Sequence, residues 1–254
     1  MAVETSHITV AVSDRVMHIT LNRPEKKNAL TRQMYIAIAE HLKHAANSAE
    51  IAAVLVTGAG ASFSAGNDLA DFIDAPEDLA TSPAFAFLDA ISTFPKPLLA
   101  AAQGHVIGVG MTFLLHCDLV LAASSIRASV PFVQLGLCPE AASSYLLPAA
   151  LGHQRAMASF LLGESMSATQ LAEAGLVYKV VDDDALLATA KALAARLASL
   201  PLQAAMATKK LVKSHAAPAV KAALAAEAKE FQRLMQSADA QDRFRAFQQR
   251  ARTA

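Results

Sequence analysis

Hydrophobic and polar positions alternate first near the N-terminus. His7–Val12 and Val16–Leu21 each show the period of two expected of a half-buried strand, with Ser13-Asp14-Arg15 between them as a turn. The polar stretch NRPEKKNAL then reads as a loop. Thr31 stands where a helix cap belongs, and Met34, Tyr35, Ile38 and Leu42 form an apolar stripe at helical spacing. Ile51–Val56 is a continuous apolar run, the pattern of a strand buried on both faces. It runs out into GAGASFSAGNDL, where glycine and small residues replace bulk. Leu69–Ile73 begins a short helix, Ala75–Ser82 is loop-like, and Ala84–Thr93 reads as helix. Leu98–Gln103 reads as a second buried strand, GHVIGVG as a turn, Met111–His116 as a helix and Leu119–Ala123 as another strand. This repeated order of strand, loop and helix predicts an α/β fold.

From about Ala141 strand patterns give way to helical ones, Leu176–Val181 excepted. Helices are expected at Ala185–Leu200, Leu202–Ser214, Pro218–Gln236 and Asp239–Arg250, with Pro201 and Pro218 marking two starts. A core over residues 1–195 followed by a helical region over 196–254 is the expected division.

Composition narrows the function classes. Hydrophobic residues make up 54% of the 254 and charged residues 17%. A surface so short of charge points to partial cover by other subunits. The 22 basic and 22 acidic residues cancel, which argues against a nucleic-acid partner. Cys117 and Cys138 are too few for a disulfide framework or a four-ligand zinc site, and read as packing residues in a reducing compartment. No run of about 18 uncharged apolar residues is present, so no transmembrane helix and no membrane partner are expected. The first residues lack the basic-then-apolar order of a secretory signal, and the last lack a Ser-Lys-Leu address. A soluble cytoplasmic protein is the expectation.

Two glycine-containing bends carry the candidate chemistry: SAGNDL, Ser64–Leu69, and GHVIGVGMT, Gly104–Thr112. Each lies where a strand turns into a helix, and amides at a helix start have no internal partner. Two such starts facing each other would hold a developing oxyanion. Either bend alone reads equally well as an ordinary tight turn. The spacing GxxxGxG is not a dinucleotide fingerprint, and neither a Walker lysine motif nor HExxH occurs.

In order and spacing, NRPEKKNAL, FSAGNDL and GHVIGVGMTFLLHCDLVLA resemble the crotonase (enoyl-CoA hydratase/isomerase) superfamily from about Val16 through Val181. The resemblance implies a spiral of ββα units, a C-terminal helical trimerisation region, and a homotrimer or dimer of trimers. It implies an acyl-CoA substrate and no separate cofactor, coenzyme A being part of the substrate. By position, the oxyanion N–H groups would belong to Asn67 and Val109. Ala65, Gly66, Asn67, Asp68 and Leu69, with Gly108, Val109 and Phe132, would contact the substrate along the acyl and CoA entrance. Lys26, beside Lys27 and Arg23, sits in a loop that passes near the CoA phosphates in relatives. The helix bearing Lys209, Lys210 and Lys213 reaches the nucleotide end there. For each of these cations solvated charge is an equally good reading.

The base separates the reactions. Typical hydratases carry two glutamates, at the positions that here hold Thr112 and Phe132. Glu140 remains, in LGLCPEAASSYLLP, and CPEAASSY resembles the PEGxSSY stretch of peroxisomal-type Δ3,Δ2-enoyl-CoA isomerases, where this glutamate is the base. SAGNDL resembles their SGNDL. Ala141-Ala142 departs from the usual Gly-Cys. One base suffices for an isomerase, and apolar neighbours such as Phe132, Leu135 and Leu137 would raise its pKa. Without the family, Glu140 reads as a helix-start carboxylate. Hydration, another reaction on the same thioester, or CoA-ester binding without turnover are the alternatives. Asp68 reads as a helix cap, Asp118 as a turn residue, His105 and His116 as core or rim histidines, and Asn28 as structural.

Overall fold

The computed structural model describes residues 7–73 and 82–253. β1 (Ile8–Ser13) and β2 (Val16–Leu21) form an antiparallel hairpin in which Ser13 faces Val16. Asp14 and Arg15 turn the chain with φ of 50° and 60°, the left-handed pair that suits the strand twist. From β2 the sheet continues in parallel through β3 (Ala53–Gly58), β4 (Leu98–Ala102), β6 (Leu119–Ala123) and β9 (Lys179–Val181). β4 is buried throughout and β3 up to Thr57, as their unbroken apolar runs require.

One face of this sheet packs on α1 (Arg32–Asn47), capped by Thr31 Oγ1 on the Met34 amide at 3.3 Å, and on α2 (Pro83–Thr93). Met34, Tyr35, Ile38 and Leu42 are all buried there, each worth about 1.5–3 kcal/mol of burial. Ser82 caps α2; residues 75–81 of the expected loop lie outside the described residues. The other face packs on α7 (Leu186–Ala198), whose Ala190, Ala194 and Ala198 let the helix lie close. The division expected between residues 195 and 196 falls within this helix.

A second sheet joins β5 (His105–Ile107), β7 (Arg127–Ser129) and β8 (Met166–Ser167). β5 corrects the turn expected at GHVIGVG, and β7 and β8 carry no strand signal. All three are two or three residues long, too short for alternation to register. α3 (Val109–Leu114) follows β5 directly. α4 (Ser143–Leu151), α5 (His153–Met157) and α6 (Ala168–Glu173) lead to β9. After α7 come α8 (Leu202–Ser214), α9 (Ala217–Met235) and α10 (Ala238–Thr253). α9 packs on α4, and α10 packs on the short 3-10 helix Leu69–Phe72, so the C-terminal helices reach the end of the first glycine bend and the helix that follows Glu140. No single helix among the described residues is long and apolar enough to cross a membrane.

Candidate active site

The chain after β3 runs beside the chain after β4. Phe63 N donates to Gln103 O (2.8 Å), Ser64 N to His105 O (3.1 Å) and Ile107 N to Ser64 O (2.9 Å). Ser64 is wholly buried; its Oγ donates to Asn28 O and accepts from Gly66 N. The two bends touch at their glycines. Gly66 has φ +90°, and a Cβ there would lie 2.9 Å from Ile107 O. Gly108 has φ +54°, and its Cβ would meet Gly66 Cα at 3.9 Å. At Gly66 both the close approach and the positive φ require glycine; at Gly108 the space is ordinary and the positive φ alone favours it.

Just beyond these glycines lie Asn67 N and Val109 N. Among the described residues neither amide donates a hydrogen bond within the protein. Val109 opens α3, where free amides are inherent. The flanking bonds Leu30 N to Gly66 O and Asp68 N to Leu30 O leave the Asn67 amide to the other side of the strand. Both residues line one pocket, together with Glu140, Glu227, Tyr35 and apolar side chains that include Phe72, Leu88, Leu224 and Phe231.

Glu140 is 9% exposed. Its Oε1 accepts from Thr112 Oγ1 at 2.5 Å, while Oε2 has no partner among the described residues. Burial raises its pKa to about 8; the Thr112 hydroxyl pulls the other way and the charge of Glu227 adds to the rise. The backbone after Glu140 is left-handed at two successive alanines, Ala141 (φ 60°) and Ala142 (φ 55°). His116 Nε2, its ring kept neutral by burial with a pKa near about 4, donates to Ala141 O at 2.8 Å. Glu227, from α9, accepts from Ala142 N at 2.6 Å and from Ser144 N at 2.8 Å. Tyr35 donates its hydroxyl to Asn67 Oδ1, which anchors the first bend to α1.

The profile of the enoyl-CoA hydratase/isomerase family matches residues 11–253. The chain belongs to this family, within the crotonase superfamily. It is 39% identical to 1,2-epoxyphenylacetyl-CoA isomerase of Escherichia coli over 75% of each chain. It is 34% identical to 2,3-dehydroadipyl-CoA hydratase of the same organism over 96% of each. With rat enoyl-CoA delta isomerase 2 it shares 38% identity, over 70% of this chain and 47% of that longer protein. A crystal structure of an enoyl-CoA hydratase/isomerase from Pseudoalteromonas atlantica superposes with a TM-score of 0.91 at 40% identity, covering 96% of this chain and 98% of that one. The crotonase fold is therefore shown, and family members carry both hydratase and isomerase names.

Within this crotonase chain the residues expected from sequence sort into three groups. Asn67, Val109 and Glu140 come together in the pocket. Ala65, Gly66 and Gly108 build its backbone frame, while Asp68 and Leu69 lie just past it. Asp68 caps the Leu69–Phe72 helix through the Ala70 amide and pairs with Arg23 at 2.6 Å, which takes Arg23 away from free solvent. Phe132, expected at the substrate, is 4% exposed within the core cluster and lies outside the pocket lining. Lys26 is exposed on the loop whose Lys27 carbonyl receives the Ala65 amide, also outside the pocket lining. Lys209 and Lys213 pair with Asp118, and Asn28, fully buried, ties Arg23, Ala59 and Ser62 together. Sequence reasoning passed over Glu227 and Tyr35. The available signal was a glutamate inside the apolar stripe Leu224, Ala228, Phe231 of α9.

Proposed function

We propose that this chain is a Δ3,Δ2-enoyl-CoA isomerase acting on thioesters with an uncharged, largely apolar acyl chain. The observation that carries the reading is Glu140: a buried carboxyl with one oxygen unpartnered, in the same pocket as the unpaired Asn67 and Val109 amides. The Glu140 carboxylate takes a proton from C2 of a 3-enoyl thioester. The electron pair moves onto the thioester oxygen and through the C3–C4 double bond, and the dienolate oxygen rests on the two amides. Glu140, now protonated, returns the proton at C4, and the double bond ends between C2 and C3. A glutamate near its ordinary pKa is a weak base for a carbon acid; one raised to about 8 is matched to the task.

Hydration would need a second group to activate water. Glu227 is the other carboxylate in the lining, but both its oxygens are taken by backbone amides, and Thr112 is a poor base at neutral pH. No metal or redox cofactor enters the proposed reaction. The pocket lining holds no lysine, arginine or histidine among the described residues, which supports an uncharged acyl chain, since an unpaired buried charge is costly. Lys26 and Lys27, exposed on the loop that receives the Ala65 amide, are proposed to meet the CoA phosphates.

The test compares wild type and Glu140→Gln on 3-enoyl-CoA and 2-enoyl-CoA thioesters. Rapid isomerisation that falls by about 10²–10⁴-fold in the variant, with little hydration, is expected. Because the base must be ionised, kcat/KM should rise with pH and level off above about 8. Hydration of the 2-enoyl thioester that survives Glu140→Gln would sink the proposal.

A further inference from the structure

Glu227 takes no part in the proposed proton transfer, yet it shares the pocket with Glu140 and is itself buried. Its two hydrogen bonds land on the turn that carries Glu140. Ala141 and Ala142 are both left-handed there, a conformation that costs energy for any residue with a Cβ. Such a turn persists only where its surroundings over-determine it. Its Ala141 carbonyl is held by His116, while the amides of Ala142 and Ser144 are held by Glu227. These amides open α4, where the helix dipole also favours a carboxylate.

We propose that Glu227 is a positioning residue for Glu140: from the C-terminal helix α9 it clamps the left-handed turn at Ala141–Ala142 that aims the Glu140 carboxyl into the pocket. The assignment rests on Glu140 being the base. It makes the C-terminal helical region part of the catalytic apparatus, because α9 supplies the clamp across 85 residues of chain from Ala142. The two carboxyls divide their roles by environment. Glu227 has two amide donors that favour its charged form, although burial raises its pKa. Glu140 has a single hydroxyl donor and feels the Glu227 charge, so it holds the proton more readily. The other titratable neighbours of this turn include Tyr35 from α1, His116 just after α3, and Cys138, whose Sγ lies 4.0 Å from the Glu227 carbonyl; Lys209 and Lys213 act on His116, and Glu230 and Arg233 on Cys138.

The test uses the full chain as wild type, Glu227→Gln and Glu227→Ala. Turnover of a 3-enoyl-CoA is measured beside a carbon-13 NMR titration of the Glu140 carboxyl, assigned by its loss in Glu140→Gln. Expected are a fall in kcat of about 10–100-fold with KM little changed, and a Glu140 titration displaced to lower pH in both variants. Unchanged turnover with an unchanged titration overturns the proposal. So does a turnover loss in which Glu140 titrates as in wild type, since the loss then does not run through that carboxyl. Should Glu227→Ala fail to fold, Glu227→Gln, which keeps the shape and one acceptor oxygen, decides alone. If wild type turns over no 3-enoyl thioester, the isomerase reading fails, and the Glu140 titration still decides whether Glu227 controls that carboxyl.

Discussion

Burial removes water from the charged form of Glu140 and pushes its pKa up to about 8, and the single hydroxyl of Thr112 offsets only part of that cost. The contribution of Thr112 has a defined sign. Thr112→Val keeps the shape of the buried side chain but removes the donor, so the Glu140 pKa should rise further. The acid limb of kcat/KM should then move to higher pH, and each unit of movement leaves about tenfold less ionised base below the pKa. A limb that stays put or moves down would show that Thr112 does not govern this carboxyl. At this scale Glu140, Asn67 and Val109 were legible because short motifs mark them. Phe132 and Glu227 were not. Phe132 is buried in the core, and Glu227 gains its role from a turn far away in the chain.

Elements place the two free amides. β3 and β4 are neighbours in the sheet, so the segments that leave them run side by side, and Gly66 and Gly108 let those segments touch. Gly66→Ala puts a methyl group 2.9 Å from the Ile107 carbonyl at a φ of +90°. It should cost about 1–3 kcal/mol of stability by denaturant unfolding and lower kcat by spreading the two amides apart. Wild-type values of both quantities would refute the close-approach account. Strands, caps and helices of normal length were readable from periodicity: the Thr31 cap and the stripe of α1 stand where the pattern puts them. The strands of the second sheet were not, being too short to show a period.

For the whole molecule, the sparse charge of the sequence has a counterpart in the fold. Leu161, Leu162, Leu211, Val212 and Phe247 are each more than half exposed. Exposed apolar side chains in this number are often covered by another chain, and light scattering at micromolar concentration is expected to give a mass of three or six chains. A single-chain mass would require these side chains to face water. The sequence by itself determined the α/β class, the long elements and the family, because these depend on local periodicity and on motifs a few residues long. It also marked Asn67, Val109 and Glu140, the residues proposed as oxyanion donors and base. The tertiary structure decided how they act together. Only packing brings the two bends into contact, buries Glu140 enough to move its proton affinity, and sets α9 against α4 so that Glu227 reaches the turn beside it. Burial and long-range hydrogen bonds are properties of the assembled chain, and no local pattern of residues encodes them.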